Sequence, residues 1–179
     1  IDIGTAGSTT LLLQSLLLPI LFSEKDFKLT IKGGTDVNWS IPIDYFTTIL
    51  LLNIKKYADI QVKTQKRGFY PKGGGLIQVK TRSKRLLGTE LPKINLPEQG
   101  TLFKINMMSY ASKDLQEQQV VERQAEAARI ILSQLKAPID IIQQYVETTS
   151  SGSGIVITGT CGDREGLNQI NPVIFGSSC

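Results

Sequence analysis

The sequence contains no histidine in its 179 residues. These residues therefore hold no histidine for general acid–base catalysis, for metal coordination or for a Ser-His-Asp triad. Cysteine is also scarce, and Cys161 and Cys179 form neither a CxxC pair nor a zinc-ligand spacing. We predict that both are reduced thiols of a cytoplasmic protein, with a single structural disulfide as the alternative.

Long hydrophobic runs are missing as well. The strongest run, Leu11–Phe22, is interrupted by Gln14, Ser15 and Pro19, whereas a helix that spans a bilayer needs about 20 apolar residues. No basic segment precedes the run, as a secretory signal would require. The sequence therefore predicts no membrane partner. Because it begins at Ile1, inside a predicted strand, we interpret it as part of a longer protein.

Acidic residues are few in one stretch of the chain. Residues 55–85 contain ten Lys and Arg side chains against one acid, Asp59. Residues 1–90 carry 13 basic and 7 acidic side chains, while residues 91–179 carry 7 and 9. A local excess of this size favours a phosphate-rich partner, so we expect the amino-terminal half to face nucleic acid.

The most informative motif lies in this basic stretch and reads Arg67-Gly-Phe-Tyr-Pro-Lys-Gly-Gly-Gly75. Three consecutive glycines lack Cβ atoms, so a polyanion can approach their N–H groups closely. Arg67 and Lys72 add positive charge, and alternating hydrophobicity resumes directly afterwards. The alternative is a tight hairpin turn without a ligand.

The pattern of the first half predicts two helices and three strands. The helices are expected over Thr9–Phe22 and Pro42–Lys56, and the strands over Phe27–Lys32, Ile60–Lys66 and Leu76–Arg82. A helix start capped by Ser8, Thr9 or Thr10 is a potential anion site, with an ordinary helix cap as the alternative. This order indicates an α+β unit with helices on one face of a sheet.

The second half repeats strand–helix–strand–strand after a predicted linker over residues 83–100. We expect a strand at Thr101–Ser109, a long helix at Lys113–Leu135, and strands at Asp140–Val146, Ile155–Thr158 and Ile170–Phe175. The predicted domains are residues 1–90 as a core unit, 91–176 as a smaller domain and 177–179 as a return to the core.

Three segments in this order resemble the RNA 3′-terminal phosphate cyclases. They are Ile3-Gly-Thr-Ala-Gly-Ser-Thr-Thr-Leu-Leu-Leu-Gln14, Lys32-Gly-Gly-Thr-Asp36 and the glycine-rich motif at residues 67–75. Val121-Glu-Arg-Gln124 and Ser150-Ser-Gly-Ser-Gly154 also look like family landmarks. The resemblance covers essentially the whole chain and implies the middle of a protein about twice as long. It further implies a core of repeated units, each a four-stranded sheet with two helices, and an inserted α/β domain.

The resemblance implies ATP-dependent conversion of an RNA 3′-phosphate to a 2′,3′-cyclic phosphate, with ATP and a divalent metal (Mg or Mn) as cofactors. In the family a histidine takes AMP, passes it to the RNA 3′-phosphate, and the adjacent 2′-hydroxyl then displaces it. The implied partners are RNA 3′-phosphate ends, and a homodimer is compatible with the resemblance. That histidine has no counterpart in this sequence, so its place would be outside these residues.

Carried over residue by residue, the resemblance implies that Gln14 contacts the nucleotide and that Pro42 packs against the adenine ring. An ordinary helix-surface glutamine and a plain proline at a helix start are the alternatives. Weaker candidates for phosphate or RNA contacts are Ser8, Thr9, Arg67, Lys72, Gly73, Gly74 and Gly75, of which the cations could equally be solvated surface groups. A non-catalytic relative that binds RNA during ribosome biogenesis remains the alternative function, although the intact motifs favour the enzyme.

Overall fold

The computed structural model describes residues 1–84, 88, 90, 91, 93–95 and 100–162, together with the backbone of 173–178. These residues form two compact units. The first comprises Ile1–Ile94 with Glu147–Ser150, and the second comprises Asn95–Val146 with Ser151–Cys179. Both units combine helices with a sheet, which confirms the predicted α+β class.

The first unit contains a three-stranded antiparallel sheet of order β1-β3-β2. Its strands are β1 (Phe27–Gly33), β2 (Ala58–Lys66) and β3 (Gly75–Ser83). A fourth strand is not confirmed, because Asp2 makes only a single parallel bridge to Lys32. β2 and β3 form the predicted hairpin around the glycine-rich loop.

Helices cover one face of this sheet. Helix α1 spans Thr9–Phe22 as predicted, and a second helical stretch runs through α2 (Ile43–Tyr45), a π-helical turn at Phe46–Leu50 and α3 (Leu51–Ile54). Alternate strand residues face these helices, so apolar side chains from both layers are removed from water. The buried core consists of Leu13, Ile31, Ile43, Phe46, Leu51, Ile77 and Val79.

The second unit has a four-stranded sheet of order β5-β4-β6-β7. Its strands are β4 (Thr101–Ser112), β5 (Ile139–Val146), β6 (Ser153–Gly162) and β7 (Val173–Ser178). β4 pairs parallel with β5 and antiparallel with β6. One face packs on helix α4 (Val120–Leu132) through Ile105, Met107, Ala125, Leu132 and Ile157.

The long helix predicted from Lys113 is shorter in the structure. Lys113–Leu115 and Ser133–Leu135 are 3₁₀ turns, and α4 begins only at Val120. Gln119 adopts a left-handed conformation with φ of 51°, so an α-helix cannot continue through it. The helix pattern was therefore right for its centre and wrong for its first turns.

Some predictions fall on residues outside those described. Cys179, the start of the strand expected at Ile170 and most of the linker between residues 85 and 99 belong to this group. Cys161 is described, and it is a free, buried thiol. None of the helices in the described ranges has the length and hydropathy needed to cross a bilayer.

Candidate functional site

Two loops of the first unit are joined through backbone hydrogen bonds. The amino-terminal loop, residues 4–8, lies beside the segment at residues 33–36. The N–H of Thr9 donates to the carbonyl of Gly34 at 2.8 Å, and the N–H of Gly34 donates to the carbonyl of Gly7 at 2.8 Å. Reciprocal bonds of this kind hold two chain segments in one register.

The glycine-rich loop, residues 67–75, joins the same cluster. The N–H of Thr35 donates to the carbonyl of Gly68 at 2.9 Å, and the N–H of Gly68 donates to the Thr35 hydroxyl at 2.9 Å. The three motifs that lie apart in sequence therefore form one cluster of loops. We call it the three-loop cluster.

Gly73 and Gly75 are two points of close backbone approach in this cluster. A Cβ atom on Gly73 would lie 2.7 Å from the carbonyl oxygen of Thr5, and one on Gly75 would lie 2.9 Å from that of Gly33. Both glycines are buried. Glycine is required here because no larger residue fits between the two backbones. Both residues therefore serve loop packing, and the anion contact predicted for their N–H groups stays a prediction.

Gly74 and Lys72 face a short segment that belongs to the same unit. A Cβ atom on Gly74 would lie 2.7 Å from the Thr149 hydroxyl, and the N–H of Lys72 donates to the Ser150 hydroxyl at 3.0 Å. The Lys72 side chain is exposed. Of the two cations that the sequence singled out, Lys72 is thus the one available to an external phosphate.

Arg67 is buried, and its guanidinium group lies between two carboxylates. Its Nη1 is 3.2 Å from Asp36 Oδ1 and 3.1 Å from Asp36 Oδ2, and its Nη2 is 2.6 Å from Asp44 Oδ2. A buried cation needs such partners because desolvation of an unpaired charge is costly. Arg67 therefore links the three-loop cluster to helix α2, and this placement does not support a phosphate contact.

The two carboxylates also interact with one another and with their surroundings. The Thr35 hydroxyl donates to Asp36 Oδ2 at 2.6 Å. Burial raises the pKa of Asp44; the Arg67 charge lowers it in part, and the Asp36 charge raises it further. Two carboxyl groups face one guanidinium group, so the single positive charge of Arg67 can compensate only one of two negative charges.

The start of helix α1 is occupied by the chain's own acceptors. The Ser8 hydroxyl accepts from the N–H of Leu11 at 3.1 Å, and the Thr9 hydroxyl donates to the carbonyl of Gly34 at 3.0 Å. Thr9 is fully buried. This geometry matches the ordinary cap that the sequence left open as the alternative, and it does not favour Ser8 and Thr9 as anion ligands.

Gln14 and Pro42 lie on neighbouring elements. The Thr10 hydroxyl donates to the carbonyl of Ile41 at 2.8 Å, which fixes helix α1 beside the residue that precedes Pro42. Gln14 is one helical turn beyond Thr10, so the two residues share a face of the helix. Gln14 is half-buried, whereas Pro42 is buried. Little of the proline ring is therefore available for stacking on a base in this structure.

Several residues of the cluster were missed by sequence reasoning. Asp44 follows Thr35 of the Gly-Gly-Thr-Asp motif by nine positions. Nothing in the local sequence indicates that Asp44 pairs with Arg67. Two exposed aromatics are Trp39, three residues after the Gly-Gly-Thr-Asp segment, and Tyr70, within the glycine-rich loop, with exposed fractions of 98% and 73%. The signal that could have found these two aromatics is their position within or close to the glycine motifs.

A resident metal site is not formed by the described residues. They contain no group of three His, Cys, Asp or Glu side chains that could hold an ion. Mg²⁺ is commonly held by one or two carboxylates together with the phosphates of a substrate, so the expected divalent metal stays a prediction.

The sequence matches the family described as RNA 3′-terminal phosphate cyclase over residues 1–169. It is 37% identical over 158 residues to the RNA 3′-terminal phosphate cyclase of Archaeoglobus fulgidus, covering 88% of this chain and 45% of the relative. The Staphylothermus marinus protein of the same name is 39% identical over 163 residues, covering 87% and 44%. That of Methanosarcina acetivorans is 38% identical over 182 residues, covering 90% and 50%.

The chain spans about half the length of the curated relatives that it matches. The match nevertheless extends through both structural units and all three motifs of the three-loop cluster. This chain belongs to the RNA 3′-terminal phosphate cyclase family.

Proposed function

We propose that these residues are the central part of an enzyme that uses ATP to convert an RNA 3′-phosphate into a 2′,3′-cyclic phosphate. The relatives carry the name RNA 3′-terminal phosphate cyclase, and the motifs of this chain agree with that name. The nucleophilic histidine would come from residues outside these 179, which contain none. The protein would act in the cytoplasm on RNA 3′-phosphate ends.

The observation that carries the proposal is the convergence of the three glycine motifs in one cluster. Gly73 contacts the amino-terminal loop, and Thr35 and Gly68 exchange hydrogen bonds. Motifs that are remote in sequence assemble in this way when they serve one site. Because buried groups hold the cluster together, its exposed rim is fixed in position before a ligand arrives.

Lys72 and Gln14 are the side chains that we assign to binding. The Lys72 side chain is exposed, and its neighbour Gly73 packs on the amino-terminal loop, so its ammonium group would attract the phosphates of ATP or RNA. The Gln14 amide can donate a hydrogen bond to a phosphate or ribose oxygen. ATP would supply the AMP group that activates the terminal RNA phosphate. The divalent metal that the resemblance implies would bind with the ATP phosphates and offset their negative charge.

The second candidate function is RNA binding without catalysis. The buried ion pairs of Arg67 and the packed glycines favour this non-catalytic function, because these residues of the glycine-rich motif stabilise the fold. A non-catalytic relative would keep the fold and the basic surface while having no use for a nucleotide. The two candidates therefore differ in covalent labelling by ATP.

The test incubates the intact polypeptide that contains these residues with α-labelled ATP and a divalent cation, then denatures it. We expect acid-labile label on the protein and conversion of a 3′-phosphorylated RNA to a phosphatase-resistant end. Gln14→Ala should reduce labelling, whereas Gln134→Ala, which removes an exposed amide from the other unit, should not. Binding of RNA without labelling would favour the non-catalytic function.

A further inference from the structure

The solvent-facing side of the three-stranded sheet in the first unit is strongly basic. Side chains alternate along each strand, and Leu29, Ile31, Ile77 and Val79 face the helices. The opposite face carries six exposed cations, which are Lys28, Lys32, Lys63, Lys66, Lys80 and Arg82. We call this face the basic sheet face.

Of these six cations, Lys32 alone forms an ion pair within the described residues. Lys28, Lys63 and Lys80 form no ion pair or side-chain hydrogen bond within the described part of the chain. Lys28 lies directly opposite Lys80 in the β1–β3 register, and Lys63 lies diagonally from Lys80 across β2 and β3. Like charges directly opposite in a sheet destabilise it, so stability alone does not account for them.

Acids are few on this face. Asp59 lies opposite Arg82 at the far end of the strands, and Lys32 pairs with Asp2 at 3.1 Å at the other end. A shallow depression of about 320 Å³ lies over the far half, where Lys28, Lys80 and Arg82 line it together with Asp26, Asp59 and Gln61. Positive charge and amide groups therefore share one open surface that has no large exposed apolar side chain.

The direction of the strands relates this face to the candidate site. β1 ends at Gly33 and β3 begins at Gly75, and both glycines belong to the three-loop cluster. From Leu76 to Arg82 the central strand covers about 20 Å at the usual rise per residue. The row of cations thus begins beside the cluster and leads away from it.

We propose that the basic sheet face binds the sugar-phosphate backbone of the RNA upstream of the 3′ end that the three-loop cluster receives. The proposal rests on the proposed function for the position of the 3′ end. Lysines without partners contact phosphates as point charges and read no sequence. The contact would therefore raise affinity for long RNAs over short ones without regard to base identity, and equally for 3′-phosphate and 3′-hydroxyl ends.

The test compares two triple variants that each remove three exposed charges. Lys28→Gln, Lys63→Gln and Lys80→Gln act on the basic sheet face. The matched control replaces three exposed lysines elsewhere, Lys55→Gln, Lys93→Gln and Lys136→Gln. Binding of a 5′-labelled decanucleotide RNA to the intact polypeptide is measured by anisotropy over a range of salt concentrations.

We plot the logarithm of the RNA association constant against the logarithm of the salt concentration. The slope should become shallower by about 2 in the first variant, because each of the three lost phosphate contacts to a single strand contributes about 0.7. The control should keep the slope of the parent protein. A dinucleotide should bind parent and first variant alike, and thermal unfolding should show that both variants fold.

Equal slopes for the two variants would overturn the proposal, as would absence of binding to the decanucleotide. Tighter binding of anionic vesicles than of RNA, with the same dependence on Lys28, Lys63 and Lys80, would also overturn it. The same titration with a decanucleotide that ends in a 3′-hydroxyl separates this proposal from the proposed function. If ATP does not label the protein but the first variant still shows the shallower salt slope, the proposed cyclase activity is wrong and the basic sheet face remains an RNA-binding surface.

Discussion

A Cβ atom on Gly73 would lie 2.7 Å from the carbonyl oxygen of Thr5, which is too close for any side chain. Gly73 also has a φ of 67°, a conformation that costs other residues roughly 1–2 kcal/mol. Two separate penalties therefore act at this position. This contact joins the glycine-rich loop to the amino-terminal loop. A substitution at Gly73 therefore tests directly whether the three-loop cluster forms.

We predict that Gly73→Ala destabilises the protein by several kcal/mol. Gly4→Ala is the matched control, because Gly4 has a φ of 78° and no atom within 4 Å of the added Cβ. The control should cost only the conformational penalty of about 1–2 kcal/mol, whereas Gly73→Ala should cost a further 1–3 kcal/mol for steric overlap. Urea unfolding measures both, and equal losses would show that the two loops do not pack together.

Arg67 provides the second prediction. Replacement by Met removes the cation that pairs with both Asp36 and Asp44, and leaves the buried Asp36 and the half-buried Asp44 without it. Removal of one partner from a buried ion pair costs about 3–5 kcal/mol, so we expect a large loss of stability at neutral pH. Arg67→Lys should rescue only part of it, because an ammonium group cannot reproduce the contacts of a planar guanidinium group.

The control for Arg67 is Arg82→Met, which removes an exposed arginine from the same hairpin. Its effect should be within about 0.5 kcal/mol of the parent protein. If Arg67→Met and Arg82→Met destabilise the protein equally, the guanidinium of Arg67 is solvated and the buried cluster does not exist.

Asp44 gives a prediction on pH. Burial raises its pKa in the folded state above the ordinary value of 3.8, although the charge of Arg67 opposes the shift. The folded protein then binds more protons than the unfolded chain just above that value, so the contribution of Asp44 to stability declines as pH rises through this window. Asp44→Asn removes the effect because an amide does not titrate.

The measurement is the free energy of unfolding of the parent protein and of Asp44→Asn from pH 3 to pH 7. The parent should lose stability relative to the variant as pH rises through the folded-state pKa of Asp44. A difference that grows in favour of the parent with rising pH would mean that the ion pair with Arg67 outweighs burial, and that the pKa is lowered.

Local signals predicted much of this fold. Alternation and helical periodicity identified α1, β1, β2 and β3 within two residues of their ends, because each places apolar residues at the spacing of one buried face. The same signals could not predict the left-handed Gln119 that delays α4. A single residue that changes conformation leaves the hydrophobic pattern of its neighbours intact.

The site was less predictable than the fold. The glycine motifs were recognised, but their role in close backbone packing depends on contacts between residues far apart in sequence, such as Gly73 with Thr5 and Gly75 with Gly33. Arg67 was predicted as a weak candidate for a phosphate or RNA contact, with a solvated surface cation as the alternative, since charge alone does not show burial. Its ion pairs with Asp36 and Asp44 form between segments that are distant in sequence, so only the tertiary structure identifies these partners.

Gln124 supports a prediction for the second unit. Its amide nitrogen lies 2.8 Å from the Ser109 hydroxyl and 2.9 Å from the carbonyl of Gly154, and so ties α4 to β4 and β6. The sequence singled out the segment at residues 121–124 only by its resemblance to family members. Gln124→Met keeps the volume but leaves the Gly154 carbonyl without this donor, so we expect a loss of about 1–3 kcal/mol. The exposed Gln134→Met should be near neutral in the same unfolding experiment.

Trp39 is strained and exposed at once. It has a φ of 65° and an exposed fraction of 98%, so its side chain contributes almost no packing to offset the left-handed conformation. Trp39→Gly should therefore be more stable than Trp39→Ala by about 1 kcal/mol, because glycine adopts positive φ without the steric cost. Lys136, exposed with a φ of 53°, should show the same order for Lys136→Gly and Lys136→Ala. Urea unfolding followed by circular dichroism compares the four variants. A Trp39→Ala protein as stable as Trp39→Gly, with the expected order kept at Lys136, would mean that residue 39 leaves the left-handed region when the indole is removed.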